Sequence, residues 1–146
     1  MVLLPSDEWD HTERREFYEA MCVVANRARR SKAKGWFQHI SVDDCYRTVE
    51  VGKLKAVRID NDFVIVYTAG TPWYNHSYRI LSEMLVIRLR EGCNYRKVLS
   101  TLDILARIEQ CRAIVVGDAL TQNKRLARVY QRAGFSSESE QLIKEV

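Results

Sequence analysis

Only two prolines and six glycines occur among 146 residues, and no stretch is rich in Ser, Gly or Pro. A flexible linker is therefore missing from the pattern, as are internal repeats and low-complexity segments. A single domain spanning residues 1–146 is expected. No apolar run comes near the ~18 residues that a bilayer-spanning helix needs. The apolar start Met1-Val2-Leu3-Leu4-Pro5 lacks a charged lead, a long apolar middle and a small-residue cleavage site. It does not read as a signal peptide, and a cytoplasmic location is expected. The cysteines Cys22, Cys45, Cys93 and Cys111 form no CxxC pair, and His11, His39 and His76 are equally scattered. That spacing predicts no metal site. The thiols read as reduced packing residues.

What is present is an ordinary globular composition, 47% hydrophobic and 29% charged. The net charge of +4 favours an anionic ligand, but no nucleic-acid reading motif accompanies it. The densest basic run, Arg27 to Lys34, falls at the end of an expected helix, where cations offset the helix dipole.

Periodicity orders the elements. Ser6 or Asp10 is placed to cap a first helix whose stripe is Phe17, Met21, Val24 and Ala28, ending near Arg30. Ser41 with Asp44 three residues on opens a second helix that Gly52 closes. Lys53–Ile59 and Phe63–Tyr67 read as a hairpin across Asp60-Asn61-Asp62, and a further strand covers about Ile80–Leu89. Val98, Leu102, Leu105 and Ile108 make a helical stripe with Thr101 and Arg107 off it. Ala113-Ile114-Val115-Val116 reads as a strand buried on both faces. A helix from about Gln122 to Arg132 stops at Gly134, and a last strand is expected over Phe135–Ile143. The predicted class is α/β, an α+β mixed sheet with helices on its faces.

The run from Asn123 to Phe135 carries one pattern: Asn123, Leu126 three later, Tyr130 seven later, then Gly134-Phe135. Asn123 and Tyr130 share a helix face. This pattern resembles the C-terminal signature of the GNAT acyl-CoA N-acyltransferases. The element order from Ile80 to Phe135 agrees with that family as well. The resemblance implies a GNAT-like fold and acetyl transfer from acetyl-CoA to a primary amine of an unknown acceptor, small molecule or protein. It assigns Asn123 to the CoA arm and makes the Tyr130 hydroxyl the general acid for the departing thiolate. It also nominates Glu83, the carboxylate on the fourth expected strand, as general base, with His76 as fallback.

One segment departs from the family. The run Val86 to Leu99 keeps apolar anchors at Val86 and Leu99 and keeps Gly92. Glu91 stands where the family has Arg, and Asn94 and Arg96 replace the two phosphate-loop glycines. Glycines there let backbone N–H groups approach a pyrophosphate. Two readings follow. Either Arg90, Arg96 and Lys97 neutralise the phosphates through their side chains, or the pocket is lost. In the second case the chain is a catalytically degenerate GNAT-fold protein with a structural or assembly role, similar to small virion or morphogenesis proteins of tailed bacteriophages, located in the host cytoplasm or the particle. The candidate cofactor-binding residues are Val86, Gly92, Asn94, Arg96, Lys97 and Asn123. The aromatic loop Thr71 to Tyr78 offers Trp73, Tyr74, His76 and Tyr78 to an acceptor or a protein partner.

Overall fold

The computed structural model describes residues 1–30, 38–117, 124–137, 144 and 146. Strand β1 is Leu3–Pro5, followed by a short helical turn at Ser6–Glu8 and helix α1, His11–Arg30. Asp10 caps α1 reciprocally. Its Oδ1 accepts from the Glu13 N–H at 2.8 Å, and Glu13 Oε1 accepts from the Asp10 N–H at 3.0 Å. Helix α2 is Val42–Glu50, with Ser41 as N-cap accepting from the Asp44 N–H. Strands β2 (Lys55–Ile59) and β3 (Phe63–Gly70) form the expected hairpin. Strand β4 is Ile80–Arg88, helix α3 is Arg96–Ile108, strand β5 is Ala113–Val116 and helix α4 is Lys124–Arg132.

The sheet order is β1-β2-β3-β4-β5, antiparallel throughout except for the parallel β4/β5 pair. The architecture is α+β with a mixed sheet, as the periodicity predicts. Alternation along β2, β3 and β4 sends side chains to opposite faces. One face packs Trp9, just before α1, with Phe17 and Met21 of α1 and Val49 of α2 against Val64, Val66 and Ile87. The other packs Val98, Leu102 and Leu105 of α3 and Tyr130 of α4 against Phe63, Ile65, Tyr67 and Leu81.

Several expectations need correction. The N-terminal apolar residues form β1, a strand too short for period two to reveal, and the backbone of Val2 binds the Asp60 turn. In α1, Ala25 is buried and Val24 only partly so. In α3, Thr101 is wholly buried, because its hydroxyl donates to the Lys97 carbonyl at 2.7 Å, and Ile108 is 66% exposed. Val115 is 52% exposed, so β5 is not covered on both faces. The four cysteines are half-buried rather than core. Residues 135–137 carry no strand, and 138–143, the rest of the expected last strand, lie outside the described residues.

Candidate active site

Cross-strand register places the first catalytic candidate. From Phe63↔Arg88 to Val66↔Leu85 the β3/β4 pairing is regular, and it resumes at Tyr67↔Glu83. Met84 is thereby the extra residue of a β-bulge. A bulge bends its strand and disrupts the ladder locally. On the other side of β4, parallel pairing with β5 runs from Ile80↔Ala113 to Glu83↔Val116 and no further. Met84 to Arg88 thus continue past the end of β5, and among the described residues the two strands part at the bulge. Gly117 sits against this point: a Cβ there would lie 3.3 Å from the Glu83 carbonyl oxygen and 3.6 Å from that of Met84.

Glu83 is 6% exposed. Burial pushes its carboxyl up from 4.5 to about 7, opposed by hydrogen bonds from the Gly117 backbone N–H and the Tyr130 hydroxyl. A carboxylate is thus held near neutrality, half ionised at the pH where a general base is most effective.

Helix α4 supplies the second candidate. Tyr130 is 2% exposed, and its hydroxyl donates toward Glu83 Oε2 at 3.5 Å. Its ring packs edge-on against Phe135 and Tyr95. Gly134, at φ +100°, ends the helix in a conformation that favours glycine and turns Phe135 back onto Tyr130. Burial, then the neighbouring Tyr95 and Glu83, raise the Tyr130 pKa. Tyr95, the N-cap of α3, is a third member that no sequence pattern marks. Its hydroxyl lies 2.8 Å from that of Tyr130, and burial pushes its pKa up to about 12. Being 35 residues from Tyr130 and inside a supposed phosphate loop, Tyr95 gave no periodic signal.

Of the candidate cofactor residues, Val86 is in the second half of β4, and Gly92, Asn94, Arg96 and Lys97 follow its C-terminal end. Val86 is half-buried on the α3 side, and Gly92 is an exposed turn residue at φ +76°. Asn94 turns inward on its own backbone: its Oδ1 accepts from the Arg96 N–H at 3.0 Å. Arg96 is exposed at the first turn of α3. Lys97 is engaged by Asp60 at 2.7 Å and Asp62 at 2.6 Å, and Arg90 is paired with Asp62. These contacts lower the pKa of both aspartates. Much of the local positive charge is therefore already matched. Asn123 lies outside the described residues.

The aromatic loop joins β3 to β4, so it stands at the N-terminal end of β4, roughly 10 Å along the strand from Glu83. Trp73 is 87% exposed and Tyr74 72% exposed, and their rings meet edge-on. His76 is exposed, and Tyr78 lies under the Arg112 guanidinium. A cavity of about 660 Å³ opens elsewhere, lined by the Ser6–Glu8 turn, the end of α2 and the start of β2, and neither Glu83 nor Tyr130 lines it. No helix among the described residues is long and apolar enough to cross a membrane.

No protein-family profile matches the sequence, and no curated protein matches it. Solved structures do. A ribosomal-protein-alanine N-acetyltransferase from Brucella melitensis biovar Abortus superposes with a TM-score of 0.66 at 12% identity, over 99% of this chain and 100% of that one. A GNAT-family acetyltransferase from Listeria monocytogenes gives 0.63 at 12% identity, over 95% of this chain and 89% of that one. An acetyltransferase from Trypanosoma brucei gives 0.62 at 9% identity, over 99% of both chains. Identities this low speak to the fold alone. Together with the element order and the mixed sheet, they establish that this chain has the fold of the GNAT acetyltransferases.

Proposed function

We infer that the protein is an N-acetyltransferase that moves an acetyl group from acetyl-CoA to a primary amine. The observation that carries this reading is the buried Glu83 and Tyr130 pair, set where β4 bulges and β5 ends. Acetyl-CoA supplies an activated acyl thioester. The β3/β4 ladder is interrupted at Met84, and a β4 backbone N–H at that bulge would stabilise the charge that the thioester oxygen gains as the amine adds. Glu83 accepts the amine proton; with its carboxyl near 7 it is ionised in about half the molecules at neutral pH. Tyr130 donates its hydroxyl proton to the sulfur as the C–S bond breaks. Trp73, Tyr74, His76 and Tyr78 receive the acceptor at the opposite end of β4 from the phosphate loop. The residues fit the acyl end of the donor well. They fit the diphosphate end through side chains, Arg96 foremost.

A second reading has its own support. Glu91, the Asn94 side chain on the Arg96 N–H, and the capture of Arg90 and Lys97 by Asp60 and Asp62 all work against an anion at the start of α3. In this reading the fold is kept for protein contacts, as in an assembly or particle component, and the aromatic loop is the contact surface.

Thermal denaturation with and without acetyl-CoA separates the two. A ligand at a hundred times its Kd stabilises the fold by about 2.7 kcal/mol. A clear rise in melting temperature at submillimolar acetyl-CoA, with thiol release on adding amines, supports the enzyme. No rise at millimolar acetyl-CoA rules the enzyme out in favour of the second reading.

A further inference from the structure

Tyr130 sits between two oxygen partners, Tyr95 Oη at 2.8 Å and Glu83 Oε2 at 3.5 Å. A hydroxyl has one proton to give, and an ionised carboxylate only accepts. While Glu83 is ionised, the Tyr130 proton is therefore directed at Glu83. The hydrogen bond between the tyrosines must then run from Tyr95 to Tyr130. When Glu83 has taken a proton it becomes a donor toward Tyr130, and the Tyr130 proton is free to turn elsewhere. The three groups form one chain whose direction is set by the charge on Glu83.

Resting on the acetyl-transfer reading, we propose that Tyr95 is a positioning residue for the acid step. Its hydroxyl donates to Tyr130 and stabilises the tyrosinate formed when Tyr130 protonates the leaving thiolate. The protons balance within the chain. The N–H proton of the amine goes to the Glu83 carboxylate as the C–N bond forms. The Tyr130 proton goes to sulfur as the C–S bond breaks. The carboxylic acid proton of Glu83 then passes to the Tyr130 oxygen, restoring all three groups. Tyr95 keeps its own proton throughout and holds the Tyr130 oxygen in place. The surroundings suit this: edge-on contacts of the Tyr95 ring with Phe63 and Tyr130 fix its orientation, and its place at the start of α3 fixes its backbone. A buried phenolate is costly without donors, and Tyr95 at 2.8 Å is a closer one than the protonated Glu83 at 3.5 Å.

The test uses Tyr95→Phe, which keeps the ring and removes the oxygen. With acetyl-CoA, kcat is expected to fall roughly ten- to a hundredfold, the effect of one hydrogen bond to a charged oxygen, while KM for acetyl-CoA changes less than about threefold. An acetyl thioester of an acidic aromatic thiol leaves as a stable thiolate and needs no proton. On that donor the variant should regain most of the parental rate, which a merely structural defect would not allow. Tyr95→Phe combined with Tyr130→Phe should be no slower than Tyr130→Phe alone, since both act on one proton. Parental kcat in Tyr95→Phe, or an equal loss on both donors, overturns the role of Tyr95 and leaves acetyl transfer standing. A parent protein that turns over neither donor overturns both.

Discussion

Replacing Glu83 by Gln separates the cost of the buried carboxylate from its use. Raising a carboxyl from 4.5 to about 7 corresponds to about 3 kcal/mol against its charged form in the native state. The native protein therefore binds more protons than the unfolded chain between these two values. Its stability falls as the pH rises through that window, and the cost is fully developed above about pH 8. Gln has the same shape and no charge. Its amide can accept from only one of the two donors that face Glu83, the Gly117 N–H and the Tyr130 hydroxyl. That mismatch costs about 1 kcal/mol. The variant should then be about 1 kcal/mol less stable than the parent near pH 4 and about 2 kcal/mol more stable near pH 9. In a chain of this size the gain at pH 9 is about 6 °C in Tm. Thermal or urea denaturation from pH 4 to 9, followed by circular dichroism, measures the difference curve. A flat curve, or one in which the variant loses ground as the pH rises, would refute the desolvated-carboxylate argument. The same variant should lose acetyl transfer, and the parental rate should rise with pH through about 7.

Three further expectations concern the frame around the site. Gly117→Ala brings a methyl within 3.3 Å of the Glu83 carbonyl oxygen, so β5 must move by tenths of an ångström. It should cost about 1 kcal/mol in urea denaturation and lower turnover at least tenfold, whereas unchanged turnover would show that the β4/β5 junction tolerates displacement. Arg58 is 4% exposed and donates to Glu16, Asn61 and the Glu13 carbonyl, tying the sheet to α1. Arg58→Ala should destabilise by about 2 kcal/mol, because Glu16 can still reach water; a loss below about 0.5 kcal/mol would mean the pair is idle. In calorimetric titration with acetyl-CoA, Arg96→Ala should weaken binding severalfold and Lys97→Ala less than twofold, because Asp60 and Asp62 already hold the Lys97 ammonium. The reverse order would show that the aspartates release Lys97 to the ligand.

Local chemistry was legible in advance. The Asp10 and Ser41 caps, the turn at Asp60 to Asp62 and the stop at Gly134 each depend on residues within four positions of one another. The roles of Tyr130 and Glu83 come from the family resemblance, whereas the burial of both, at 2% and 6% exposed, is set by packing between distant elements. Burial departs from residue polarity at Thr101 and Val115. Thr101 is covered although its hydroxyl is polar, because that hydroxyl is satisfied by its own helix. Val115 is exposed although apolar, because β5 is the last strand of the described sheet.

The sequence by itself determined most of the elements and the α+β class, since period, capping and turn chemistry act over a few residues, while the base and acid candidates came from the family resemblance. Tertiary structure alone decided the rest. The bulge at Met84 is a property of two strands, and a one-residue slip there selects which β4 side chains face α4. The hydrogen bond between Tyr95 and Tyr130 joins the start of one helix to the end of another. The clasp of Lys97 between Asp60 and Asp62 removes a charge that the sequence offered to a phosphate. Each depends on where packing brings distant side chains to rest, which no local pattern encodes.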